Sequence, residues 1–273
     1  MNIDFKRNRT QVKYEELVGI SSVEELQNMK EEFNCYKLSS ADVIELNNEC
    51  EKDARDYLNN GMISLAEGIS NMFNHRYTWA TVKNYYSVFY FLRASMAANG
   101  VAILQNKSIY RLKIGKDEKP FSSGNRKYKS THKGTISHYK DVFSGADRLL
   151  TNSIDDLDPY EWLEEVRNIA NYREVSFLDP LCLDIWGKYD IAIYDEKIDD
   201  LIKNIVNDDD FIYCFQDDYA VVAIAIKRFQ ETIDDFKNNS LLTEMDDRKI
   251  DYICGIIPDE IMSLKNYIKD IFS

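Results

Sequence analysis

The sequence predicts a mostly α-helical protein, a helical bundle with a small β-hairpin insertion and extra C-terminal helices. Three observations carry that prediction. Only four prolines and ten glycines interrupt 273 residues, which leaves room for long helices. Apolar residues recur at steps of three and four through much of the chain. One segment, Asn84-Tyr85-Tyr86-Ser87-Val88-Phe89-Tyr90-Phe91-Leu92-Arg93, is apolar nearly all round, as suits a helix at the centre of a bundle.

Taken in order, residues 1–34 are polar and weakly periodic, and read as a strand or turn followed by a short helix around Val23 to Phe33. Ser39 and Ser40 are natural N-caps. After them Val43, Leu46, Cys50, Tyr57, Leu58, Leu65, Ile69 and Met72 predict a helix of about 30 residues. Gly61 and Gly68 within it would kink it or admit a close neighbour. A second helix should run from Thr78 to Ala98 and stop at Asn99-Gly100. Arg93 near its end needs a partner, because an unpaired buried guanidinium is prohibitive.

Val101 to Ile114 reads as two short strands turning at Gln105-Asn106-Lys107, followed by a basic loop with Pro120 and Gly124. A short helix is expected around Thr135 to Phe143. Pro159 behind Asp158 starts the next helix, which should reach Arg173 before Pro180 bars it. Tyr219, Val222, Ile226, Phe229, Ile233 and Phe236 define an amphipathic helix, suited to packing on the bundle or to a dimer seam. A last helix follows Pro258. With no internal repeat, the simplest organisation is one domain. Residues 1–38 would lead into a core at 39–178, which carries a basic insertion at 101–130, and 179–273 would form an acidic extension.

Composition bounds the function. The five cysteines are scattered and lack CxxC spacing, which predicts neither a zinc site nor a disulfide framework and suits a reducing compartment. The N-terminus places charges where a signal peptide needs an apolar core. No apolar stretch approaches the roughly 20 residues of a membrane helix, so a cytoplasmic protein without membrane contact is expected. No phosphate loop, GxGxxG turn, HExxH or GxSxG is present. With three histidines, a multi-histidine metal centre is not expected either, and neither metal nor cofactor is predicted. Adjacent acids such as Asp208-Asp209-Asp210 are usually solvated.

The net charge of −13 is unevenly spread. From Lys107 to Lys140 there are ten cations against two acids, and from Asp195 to Asp218 nine acids against two lysines. Such asymmetry suits either a polyanion site with an acidic face that docks a basic partner or the chain itself, or simply a solvated basic loop and acidic helix pair.

Three features could carry chemistry. On the helix Trp162 to Arg173, Glu164, Arg167 and Asn171 share a polar side, and Asn168 and Tyr172 are i, i+4 neighbours. This is either an intrahelical ion pair for Arg167 or a set of donors suited to a phosphodiester. Thr131-His132-Lys133-Gly134-Thr135 at a helix start is either an anion site or ordinary capping by Thr135. The basic loop, with Arg126, Lys127, Lys129 and Lys133 among Tyr110, Phe121 and Tyr128, combines phosphate contacts with stacking, as single-stranded RNA requires.

The segment Tyr85 to Ala97 resembles the aromatic-rich, alanine-ending central helix of the HEPN superfamily, and Arg167-Asn168 resembles its second signature. Thr131-His132-Lys133-Gly134 is similar to a segment of bacterial proteins of the YaaC type. The resemblance covers roughly residues 40–178. It implies a helical bundle, commonly a homodimer, of a bacterial defence or toxin–antitoxin system that engages RNA. Such a protein either acts as a metal-independent ribonuclease or only binds nucleic acid or a protein partner. In the ribonuclease version the RNA 2′-hydroxyl attacks and arginine stabilises charge on the phosphate. Where the family's nucleases place histidine, this chain has Tyr172, with Arg173 next. A tyrosine, with pKa about 10, is a poor general base. Either His132 or His138 substitutes, or Arg167 and Arg173 work by electrostatics, or the site is inactive. A non-catalytic scaffold with a protein partner at Asp208, Asp209 and Asp210, and a nucleotide sensor built on the basic loop, are the competing expectations.

Overall fold

The computed structural model describes residues 7–122, 128–173, 179–181, 184–242 and 246–273. Among them are twelve α-helices and one two-stranded antiparallel hairpin, so the protein is mostly α with a small β insertion. The chain divides into two compact units. The first comprises Met1–Leu58, Leu92–Gly145 and Asp235–Leu241, the second Asn59–Phe91, Ala146–Asp234 and Leu242–Ser273.

The first unit opens with α1 (Arg9–Val18), where sequence periodicity predicts only a strand or turn. Its start is capped locally by Asn8 Oδ1, which accepts Gln11 N at 3.1 Å, and also from a distance. Both oxygens of Asp53, on α4 (Ser40–Phe73), accept the backbone N–H groups of Arg9 and Thr10 at 3.0 and 2.8 Å. This satisfies donors that a helix start leaves orphaned. Gly19, at φ +87°, closes α1 in the left-handed conformation. The short helix expected near Val23 is two, α2 (Val23–Asn28) and α3 (Lys30–Cys35), broken at Met29. Phe33 from α3 meets the rings of Tyr14 and Tyr110 edge-on.

The hairpin pairs β1 (Val101–Gln105) with β2 (Ile109–Lys113), with Ile103 opposite Arg111. The side-chain amide of Gln11 donates to Gln105 O and accepts from Gln105 N, as a further strand would. On the other side, Arg111 and Phe121 exchange both backbone hydrogen bonds. Helix α6 (Thr131–Phe143) packs on β2 at Gly134, where an added Cβ would lie 3.0 Å from Ile109. The helix starts four residues earlier than expected because Ser130, not Thr135, caps it.

In the second unit, α5 (Tyr77–Ala98) runs apolar on most faces as predicted; its residues 77–91 belong here, and the rest to the first unit. The glycines of α4 serve close approach: a Cβ on Gly61 would collide with the Phe91 ring, and one on Gly68 would lie 2.9 Å from Asn84. Helix α7 (Pro159–Asn168) is capped by Asp158 and continues as a π-helical turn over Ile169–Arg173. Then come α8 (Gly187–Tyr194), α9 (Ile198–Val206), α10 (Asp217–Asn238, whose residues from Asp235 on belong to the first unit), α11 (Asp247–Ile256) and α12 (Met262–Phe272). The single terminal helix expected after Pro258 is thus preceded by another.

The predicted amphipathic stripe understates α10. Every residue from Ala220 to Phe229 is buried, Lys227 and Arg228 included. From Ala220 to Arg228 the residues between the stripe positions are Ala, Val and Ile except for Lys227 and Arg228, so most of the remaining surface of this segment is apolar too. The two cations are each supplied with acceptors. Arg228 Nη1 meets Asp147 Oδ2 at 3.2 Å, and the same carboxylate accepts from Tyr160 Oη and Leu149 N. Lys227 Nζ donates to Val206 O and Gln230 Oε1 at 3.0 and 2.8 Å.

Candidate nucleic-acid interface

The hairpin face of the first unit carries the basic stretch. Lys113, Lys116, Lys119, Lys129 and Lys133 are exposed. Of the three interleaved aromatics, two serve the interior. Tyr110 is buried against Phe33, and Tyr128 stacks on His138 at 4.4 Å while donating to Asp141 Oδ2. Phe121 is the exception, 46% exposed, with the Arg111 guanidinium 4.4 Å from its ring centre. Arg111 is itself held by Asp141 Oδ2 at 3.1 Å. The guanidinium, carboxylate and phenol therefore form one network beneath an exposed ring. Arg126 and Lys127 lie outside the described residues.

On α6, Gly134 is explained by its approach to β2. His138, fully buried, has Nε2 3.1 Å from Ile109 O and serves the packing of helix on hairpin. His132 is half-buried and Lys133 exposed in the first turn.

Arg167 and Asn168 belong to the second unit. The Arg167 guanidinium donates from Nη1 to Asn168 Oδ1 at 2.9 Å and from Nη2 to Tyr86 Oη at 3.4 Å. It lies 4.9 Å from the Tyr85 ring centre, and Arg167 is only 7% exposed. Burial, with a lesser push from Glu164, raises the Tyr85 hydroxyl pKa above its ordinary value, and the charge of Arg167 opposes this. The arginine thus occupies an aromatic recess, a favourable place for a partly desolvated guanidinium. The side chains of Tyr172 and Arg173 lie outside the described residues; their backbone forms the π-helical turn. His132 belongs to the first unit and Arg167 to the second.

The acidic run is a folded loop. Asp208 accepts from Tyr213 N at 3.0 Å, and Arg148 donates to the Asp209 carbonyl. Phe211, at φ +61°, has Arg148 and Lys227 over its ring at 4.1 and 5.3 Å. The carboxylates of Asp209 and Asp210 face outward.

Sequence reasoning missed one cluster, His75 with Tyr77 and Asp190, because 115 residues separate the imidazole from its carboxylate. Among the described residues, no group of three or more His, Cys, Asp or Glu side chains could hold a metal ion, and no helix is long and apolar enough to cross a membrane. Comparison with known proteins finds no matching family model, no similar curated protein and no similar solved structure.

Proposed function

We propose that this chain is a HEPN-like protein of a bacterial defence or toxin–antitoxin system that engages RNA, holding single-stranded RNA on the hairpin face of the first unit. The observation that carries the reading is Phe121, exposed and stacked by Arg111 among outward lysines. An aromatic ring can stack on any base, while lysines meet the phosphates between bases. Duplex RNA hides its bases from such a ring. The family resemblance supplies the biological setting. Arg167 supports binding more weakly, since its guanidinium is mostly buried against Tyr85 and Tyr86.

The test is fluorescence anisotropy with a labelled single-stranded RNA of mixed sequence, against its duplex form and against free nucleotides. Replacing Lys113, Lys116 and Lys119 together with Glu should weaken single-strand binding by about tenfold or more. The salt slope should fall by roughly 0.7 for each phosphate that is no longer neutralised. The melting temperature should stay put, because these side chains are exposed. Unchanged affinity in the triple variant would defeat the proposal. Equal affinity for a mononucleotide and for the strand would favour a nucleotide sensor instead.

A further inference from the structure

On the hairpin face a tied-down cation lies against an exposed ring. Arg111 N donates to Phe121 O at 3.0 Å and Phe121 N to Arg111 O at 2.8 Å, so the two residues stand directly opposite each other. Residues paired in this way send their side chains to the same face, and the backbone itself thereby brings guanidinium and phenyl together. The guanidinium carbon stands over the ring, 4.4 Å from its centre, and takes up one face of it. The exposure of Phe121 is left to its other face and its edge.

Arg111 alternates onto the same side of β2 as the exposed Lys113, and its side chain is 26% exposed. It is near enough to solvent to meet a phosphate. What holds it back is Asp141 on α6, whose Oδ2 accepts from Arg111 Nη1 at 3.1 Å and from Tyr128 Oη. Tyr128 is fixed in turn by its stack on the buried ring of His138. The carboxylate changes what the arginine offers. A guanidinium already paired with a carboxylate presents little net charge to a passing phosphate. Held over the phenyl ring, it attracts the ring's electron-rich face and keeps the ring in place. The product is a platform for a base, set among lysines that meet phosphates whether or not the bases are paired.

We infer that Asp141 determines the specificity of this face: by holding Arg111 against Phe121, it makes the hairpin select strands with unpaired bases over duplex. This rests on the RNA reading above and adds how that face discriminates. Asp141 and Tyr128 are positioning residues, acting through Arg111 and the ring. Without the carboxylate's charge, Arg111 turns to phosphate. The face then binds duplex more tightly and discriminates less.

The experiment measures Kd for a labelled single-stranded RNA and for its duplex across a series of salt concentrations. Asp141→Asn is the first variant, because asparagine keeps an acceptor for Tyr128 while losing the charge. Arg111→Gln is the second. The wild type should bind the single strand more tightly than the duplex. Asp141→Asn should bind duplex about fivefold more tightly in dilute salt, with a salt slope steeper by roughly 0.9, the gain of one phosphate contact. Its preference for the single strand should shrink about fivefold or more as the base platform is lost. Arg111→Gln should weaken single-strand binding about fivefold at an unchanged salt slope, because the wild-type arginine neutralises no phosphate. Tm is read on the same samples, and if Asp141→Asn fails to fold, the salt slope of Arg111→Gln decides alone. An unchanged slope and preference in folded Asp141→Asn overturns the inference and leaves RNA binding standing. So does a slope that falls by roughly 0.7 in Arg111→Gln, or equal wild-type affinity for strand and duplex. A wild type that binds no single strand overturns the RNA reading and the inference with it.

Discussion

The cations of the hairpin face and those of α10 are put to opposite uses. On the hairpin face, Lys113, Lys116 and Lys119 are exposed, while Arg111 is drawn into an internal network. On α10, Lys227 and Arg228 are 2% and 1% exposed and direct their hydrogen bonds to the protein's own oxygens. A count of positive charges treats these residues alike, but only the hairpin set is available to a polyanion. What separates them is whether acceptors from distant chain segments arrive to meet the charge.

The largest effect that tests this contrast is at Asp147. Asp147→Ala would remove the buried carboxylate that Arg228 Nη1 and Tyr160 Oη both meet. Losing one partner of a buried pair costs about 3–5 kcal/mol, which chemical denaturation would read directly. A loss below about 1 kcal/mol would mean that the pair is not holding the second unit together. RNA affinity of the folded variant should be unaffected.

Phe121→Ala reverses the pattern. Stacking on one base contributes about 1–3 kcal/mol, so single-strand affinity should fall by roughly five- to a hundredfold. Stability should move by no more than about 0.5 kcal/mol. If duplex and single-stranded RNA lose affinity equally, the ring is not stacking on a base, and the hairpin face is a purely electrostatic surface.

The smallest effect belongs to Lys227. Burial pushes its pKa below the ordinary lysine value, against the pull of Asp208. The unfolded chain therefore binds more protons between the lowered folded pKa and the ordinary one, and stability should rise with pH across that window. Lys227→Met should flatten the rise while changing neutral-pH stability by about 1 kcal/mol or less. A variant that keeps the alkaline rise would place its origin elsewhere.

How much of this was legible follows the range of the interactions. α5 and the hairpin were readable because their signals are local: a continuous apolar run, and two strands about a turn. Asp158-Pro159 likewise marked α7 by its own caps. At α1 the local cap Asn8 was overlooked, and the rest of its N-terminus is completed by Asp53, 44 residues on. The burial of Lys227 and Arg228 was not readable, because their acceptors come from Val206 and Asp147. In the candidate sites the same division holds. The basic stretch was visible, but that Tyr110 and Tyr128 face inward while Phe121 does not depends on Phe33 and His138. Arg167 was singled out by its polar side; the tyrosines of α5 that receive it lie about 80 residues away.

The pairing of Gln11 with Gln105 on one side of the hairpin, and of Phe121 with Arg111 on the other, bears on solubility. A two-stranded ribbon ordinarily offers two rows of unpaired backbone groups, which are templates for a strand from another chain. Here a glutamine side chain occupies part of one row and the chain's own return occupies part of the other. The ribbon that carries the lysines is thereby denied to self-association at those points, and α1 doubles as its guard.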